Sequence, residues 1–135
     1  MAEIAAAVTD THPLLFHAAG GGRLSRKAAE YFAACERREA LLYIPAVVIW
    51  ECALLTRAGR VNLRQSVRGF FGDLFSNPAY QPYDLSHEQV LMGEEMRVNR
   101  DPFDVLICAA ARDLELPLIT RDGDIRASGA VRVIW

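Results

Sequence analysis

Short apolar runs alternate along this chain with longer segments whose apolar residues recur at helical spacing. Ile4 to Thr9, Leu41 to Ile44, Leu116 to Thr120 and Val131 to Ile134 read as strands. Tyr80 to Tyr83 reads as a weaker strand that Pro82 pushes towards a sheet edge. Between them lie helical patterns. His12 to Ala19 is short and closed by Gly20-Gly21-Gly22, which lack a following Lys-Ser/Thr and so make a flexible connection, not a phosphate loop. Ser25 caps an amphipathic helix to Arg38, with Ala28, Tyr31, Phe32 and Cys35 on its inner stripe. Pro45 starts a helix to about Arg57, and Asn62 caps one carrying Val67, Phe70, Phe71, Leu74 and Phe75, which Asn77-Pro78 ends. Ser86-x-x-Gln89 is a capping box opening a helix to about Val98. Asp101-Pro102 opens the next helix, with Leu106, Ile107, Ala110 and Leu114 as its buried stripe. Gly123 to Ser128 is a turn or short helix.

Such alternation predicts an α/β fold: a parallel sheet covered on both faces, in a three-layer α/β/α sandwich. The 135 residues are expected to form a single domain with a real core, without repeats or linkers. Although hydrophobic residues make up 52%, no uncharged run is long enough to span a bilayer, and no basic segment precedes the first apolar stretch as a secretory leader requires. Cys35, Cys52 and Cys108 are odd in number and far apart, as expected of reduced, buried thiols in a cytoplasmic protein. The net charge of −2 conceals 15 basic residues, of which only Lys27 is not arginine. If four acids are committed to a cation, the remaining balance turns positive, so net charge does not exclude nucleic acid.

Four acids stand out by their isolation. Asp10 closes the first strand, and Asp122 lies just past the strand ending at Thr120. Glu51 is the only charged residue from Ala46 to Leu55, a run so apolar that its helix is expected to be largely buried. Asp104 falls in the first turn of the Asp101 helix within an otherwise apolar run. Each has an ordinary reading. Asp104 can satisfy helix amides, Glu51 can snorkel at an edge, and Asp124 can replace Asp122 as the outer acid. The other reading is a shared site: ligands gather beyond the carboxyl ends of parallel strands, and converging carboxylates need a cation, for which hard oxygen donors select Mg²⁺ or Mn²⁺. Such an ion suits phosphoryl chemistry with water. Thr11 and Thr120 are candidate hydrogen-bond partners of the carboxylates, or merely caps.

The order and spacing of Val8-Thr-Asp-Thr-His12, Pro45-Ala-Val-Val-Ile-Trp-Glu51, Arg100-Asp-Pro-Phe-Asp-Val-Leu-Ile-Cys-Ala-Ala110 and Leu118-Ile-Thr-Arg-Asp122 resemble the PIN-domain family across essentially the whole chain, and within it the VapC-type toxins of bacterial toxin–antitoxin pairs. The resemblance implies a five-stranded parallel sheet with first and fourth strands adjacent, which sets Asp10 beside Asp122. It implies cleavage of RNA by water with Mg²⁺ or Mn²⁺, Asp10 and Asp104 being the most direct ligands, Glu51 orienting water or holding a second ion, and Asp122 the most replaceable. It also implies a cognate antitoxin that silences the enzyme, and a homodimer. Two departures are Pro13, where a small residue is usual, and Val105, where Arg is common.

Arg57, Arg60, Arg64 and Arg68 recur at helical steps and, with Arg100 and Arg121, are candidates for RNA phosphate contacts; each is otherwise a solvated surface charge. Trp50, Phe70, Phe71 and Phe75 read as core or dimer contacts, and His12 as a surface residue within reach of RNA. Asp101 needs no role beyond its cap. Two other classes compete. One is a non-catalytic PIN module that binds RNA or assembles with partners. The other is a Toprim-like or receiver-like domain, disfavoured because the first strand ends in Asp rather than Glu and the only lysine is Lys27.

Overall fold

A computed structural model describes residues 3–135. Its strands β1 (Ala5–Thr9), β2 (Ala40–Pro45), β3 (Tyr80–Tyr83), β4 (Leu118–Ile119) and β5 (Val133–Ile134) form one sheet in the order β3-β2-β1-β4-β5. Every pairing is parallel; Val8 faces Tyr43 of β2, and Thr9 faces Ile119 of β4. Proline at position 82 removes an amide from the ladder, and β3 indeed lies at an edge.

The helices are α1 (Thr11–Ala18), α2 (Arg26–Glu36), α3 (Ala46–Arg57), α4 (Val67–Phe75), α5 (His87–Met96), α6 (Pro102–Leu114) and α7 (Gly123–Ser128). The chain moves outward from β1 through β2 to β3, then returns past β1 to β4. Right-handed crossovers therefore put the helices of the outward connections on one face and those of the return on the other. The β1–β4 boundary, where strand order reverses, is the crevice in which this topology gathers ligands. Leu42, Ile44, Val8, Leu118 and Ile119 carry the sheet side of a core closed by Leu14, Phe32, Val48 and Ile107.

Local physics departs from the sequence expectations in several places. Asn62 does not cap α4: its Oδ1 accepts from the Arg64 amide in a local turn, and Ser66 caps the helix by accepting from Gly69 N. Helix α5 stops at Met96, short of Val98, because Arg97 turns left-handed at φ 50°. Its capping box is half made, since Ser86 Oγ accepts from Gln89 N while the Gln89 side chain donates to the Asp84 carbonyl. Strands β4 and β5 are two residues each, the flanking apolar positions serving as connections. Nor is α3 largely buried: only Val48 and Cys52 are fully covered, and Trp50 is 50% exposed. Val105 packs against Gly93, where an added Cβ would lie 2.8 Å from Val105 Cγ1, so this departure from the family pattern serves the α5–α6 contact.

Candidate active site

Three of the four acids sit where a helix begins, and Glu51 lies midway along α3. Asp10 ends β1 and is the N-cap of α1, its Oδ1 accepting from Thr11 N at 2.8 Å. Its Oδ2 accepts from the Thr120 hydroxyl at 2.7 Å, just past β4. Thr11 Oγ1 donates to Glu51 Oε1 at 2.5 Å, joining α1 to α3. Thr120 Oγ1 also accepts from Asp122 N at 3.1 Å, and Asp122 Oδ1 caps α7 by accepting from Ile125 N. Glu51, Thr11, Asp10, Thr120 and Asp122 thus form one continuous hydrogen-bonded chain across the strand-order reversal. Thr11 and Thr120 are wholly buried, and Asp10 is 7% exposed.

Asp104, on α6, feels the charges of Asp10 and Asp122 without bonding to this chain. Asp101 takes the capping role, accepting from Phe103 N and Asp104 N, which releases the Asp104 carboxylate from the first-turn amides. Asp104 Oδ2 instead accepts from Asn99 Nδ2 at 2.9 Å. Asn99 was not singled out from the sequence. Its Oδ1 also accepts from Asp101 N, so a single amide side chain fixes the turn and holds the acid.

Electrostatics tie the acids together. Burial pushes the Asp10 carboxyl up, against hydrogen bonds from Thr120 and Thr11 and the charge of His12, while Asp122 adds to the rise. Burial likewise raises Glu51; Thr11 and His12 oppose the shift and Asp10 reinforces it. Asp104 is lifted to about 6 by burial, opposed by the Asn99 hydrogen bond and reinforced by Asp10, Asp101 and Asp122. Cys108, a free thiol pushed to about 12 chiefly by burial, lies in the fields of Asp10, Asp104 and Asp122. Asp124 is exposed and contributes to none of these shifts, whereas Asp122 contributes to three.

No basic side chain pairs with the group: the four ion pairs among the described residues involve none of these acids, and His12 acts on Asp10 and Glu51 only through its field. Their hard oxygen donors fit Mg²⁺ or Mn²⁺ chemically. As the side chains stand, however, no three His, Cys, Asp or Glu residues among those described converge closely enough to hold an ion. Loading would therefore involve rotation of carboxylates now held by Thr11, Thr120 and Asn99.

The arginine candidates do not act as one surface. Arg57 ends α3, six residues and about 9 Å of helix rise beyond Glu51. Its guanidinium stacks 5.3 Å from the Trp50 ring and, with Arg68, lines a groove of about 770 Å³ between α3 and α4 whose floor includes Phe71 and Phe75. Arg60 and Arg64 lie exposed in the intervening connection, so no continuous helical stripe exists. Arg100 is exposed ahead of α6, and Arg121 lies over Phe16.

A family model described as the PIN domain matches residues 7–130. The chain belongs to the PIN-domain family. No curated protein matches it. Solved structures share the PIN fold over nearly the full length at low identity. VapBC2 from Rickettsia felis, bound to a DNA fragment from its promoter, superposes with a TM-score of 0.67 at 12% identity, covering 95% of this chain and 96% of that one. A toxin–antitoxin complex from Klebsiella pneumoniae gives 0.62 at 19% identity, with 96% of each chain covered. VapBC-5 from Mycobacterium tuberculosis, a member of the VapBC family of toxin–antitoxin systems, gives 0.58 at 19%, covering 96% of this chain and 98% of that one. Among the described residues no helix is long and apolar enough to cross a membrane.

Proposed function

We propose that this PIN domain is a metal-dependent endoribonuclease, the toxin of a toxin–antitoxin pair, silenced by a cognate antitoxin in the cytoplasm. The observation that carries the reading is a rim of four acids that enter no ion pair among the described residues. Mg²⁺ or Mn²⁺ held there would lower the pKa of a bound water and offset charge on the scissile phosphate. In this reading Asp10 and Asp104 bind the ion directly, Glu51 orients water, and Asp122 closes the outer side. Thr11 and Thr120 fix the carboxylate orientations, the role outer hydrogen-bond partners play at metal sites. The structural neighbours that are toxin–antitoxin complexes support an antitoxin partner. For that partner the α3–α4 groove offers an apolar floor rimmed by Arg57 and Arg68, complementary to an amphipathic segment bearing acids. Exposed Leu85, Val90 and Leu91, on and just before α5, support a homodimer, which light scattering of the purified protein would detect.

The deciding experiment incubates purified protein with single-stranded RNA and Mn²⁺. Internal cleavage is expected. EDTA or Asp10→Asn should slow it about a thousandfold or more, the rate equivalent of losing several kcal/mol of charge stabilisation. Cleavage that persists under either treatment rules the mechanism out. The non-catalytic reading draws on the separation of the carboxylates as they stand. RNA retention without Mn²⁺ binding, followed by calorimetry, would favour that reading instead.

A further inference from the structure

The glycine-rich connection after α1 has no part in the carboxylate rim, yet it has a defined shape. Gly20 and Gly21 sit at φ 105° and 82°, where residues with a Cβ are strained. Gly21 N donates to the Phe16 carbonyl at 2.8 Å, closing the turn on the helix it follows. The turn carries Arg23 back over Phe16, with its guanidinium carbon 5.6 Å from the ring centroid. From the other side of the chain, Arg121 reaches the same ring at 4.8 Å. Arg121 is the residue between Thr120 and Asp122, both members of the hydrogen-bonded rim. The His12 ring is also close, its centroid 6.1 Å from that of Phe16.

Two exposed guanidiniums gathered on one aromatic ring repel each other, so their placement invites a ligand. Among the described residues neither enters an ion pair, and the arginine side chains that donate hydrogen bonds to protein are Arg26, Arg37, Arg97, Arg112 and Arg132. Stacking on an aromatic face restrains a guanidinium while leaving its N–H edge free, and that edge matches phosphate. A polyanion approaching four carboxylates is repelled unless nearby cations offset them, and Arg121 follows Thr120 directly, with Arg23 on the same ring. We infer that Arg23 and Arg121, stacked on Phe16, form a phosphate-binding site that holds the RNA backbone beside the scissile phosphate. This rests on the ribonuclease reading for the identity of the anion.

The test is binding of a fluorescent single-stranded oligoribonucleotide in EDTA, followed by anisotropy across a salt series. Each phosphate contact contributes about 0.7 to the slope of log K against log salt on a single strand. Arg23→Gln and Arg121→Gln should each lower the slope by about that amount, and the double variant by about twice as much, with Kd rising roughly three- to tenfold per arginine. Arg23→Lys and Arg121→Lys, which keep the charge, should retain most of the slope. Arg37→Gln, which breaks the Arg37–Glu39 pair at the far end of the sheet, should leave it unchanged. If the double variant keeps the wild-type slope while wild type cleaves RNA with Mn²⁺, the phosphate site is overturned and the nuclease stands. If Arg37→Gln lowers the slope as much as Arg23→Gln, the effect is bulk charge and the site is likewise overturned. Binding with the expected slope losses but no cleavage upholds the site and overturns the nuclease.

Discussion

Two polar networks sit at opposite ends of the sheet, and they are built differently. Beyond the carboxyl end of β1, Asp10, Glu51, Asp104 and Asp122 take hydrogen bonds from hydroxyls, amides and backbone, donors that bring no charge. At the amino end of β3, Glu36 instead accepts from the Tyr80 hydroxyl at 2.7 Å and lies 3.9 Å from His17 Nε2, with His17 stacked on Phe32. One carboxylate there meets a phenol and an imidazole at 3.9 Å; at the rim the field of one histidine, His12, reaches Asp10 and Glu51, and it pairs with none of the four carboxylates among the described residues. Structural polar clusters tend towards local balance, because unbalanced buried charge is costly. The imbalance at the rim is what the proposed ion would offset.

The two ends should also respond oppositely to acid. Asp104 has its folded pKa raised from 3.8 to about 6, so the folded state binds more protons between those values. In metal-free protein its ionisation therefore lowers stability as pH rises through that window, and protonation below it removes the penalty. His17 has its pKa lowered from 6.5 by burial, with Glu36 partly opposing the shift. The unfolded state then binds the extra proton, and stability is lost as pH falls below 6.5. Acid relaxes one network and strains the other.

Thr120→Val should give the largest effect, because it strikes the rim at its centre. Valine keeps the volume but removes the donor to Asp10 Oδ2 and the acceptor for Asp122 N, both at a fully buried position. Stability should fall by about 2–3 kcal/mol and Mn²⁺ affinity by roughly 10–100-fold. Thermal unfolding and calorimetry would measure the two. An unchanged Mn²⁺ affinity would remove Thr120 from the site while leaving its structural role intact.

Much of this contrast was legible in the sequence on one side only. Asp10 after a strand, Asp101-Pro102 before a helix and Glu51 alone in an apolar run are local signals, and each acid lies at the predicted element. The partners were less visible. Asn99 holds Asp104 through an amide that reads as loop polarity, and Phe16 meets Arg121 only because β1 and β4 are neighbours. Asn62 and Ser66 are both polar residues ahead of the same apolar stripe, and tertiary geometry alone selects Ser66 as the cap. The apolar run of α3 could not say that one of its faces lacks a cover, so the exposure of Trp50 went unread.

Asp104→Asn should sharpen the comparison with an intermediate effect of opposite sign. Removing an acid from an unbalanced group stabilises metal-free protein at pH 7, by about 1 kcal/mol once solvent screening is allowed for, a rise in Tm of about 3–6 °C. The gain should vanish on acidification towards pH 4, where the wild-type carboxyl is itself neutral. Mn²⁺ should reverse the order, protecting wild type more than the variant. A variant less stable than wild type at pH 7 would mean that Asp104 is a satisfied structural acid.

The smallest change is expected from Tyr80→Phe, at the balanced end. The hydroxyl is the only part of Tyr80 that differs, and its ring stays in a fully buried position. The Glu36 side chain is 54% exposed, so water replaces the lost donor and little desolvation cost remains. A loss of about 0.5–1 kcal/mol follows, seen as a fall in Tm of about 2–5 °C at pH 7. Mn²⁺ affinity should not move, because the Tyr80 hydroxyl meets only Glu36 and His17 and none of the rim side chains. If Tyr80→Phe were to weaken Mn²⁺ binding as strongly as Thr120→Val, the two ends would be coupled through the sheet, and charge balance would no longer separate scaffold from site.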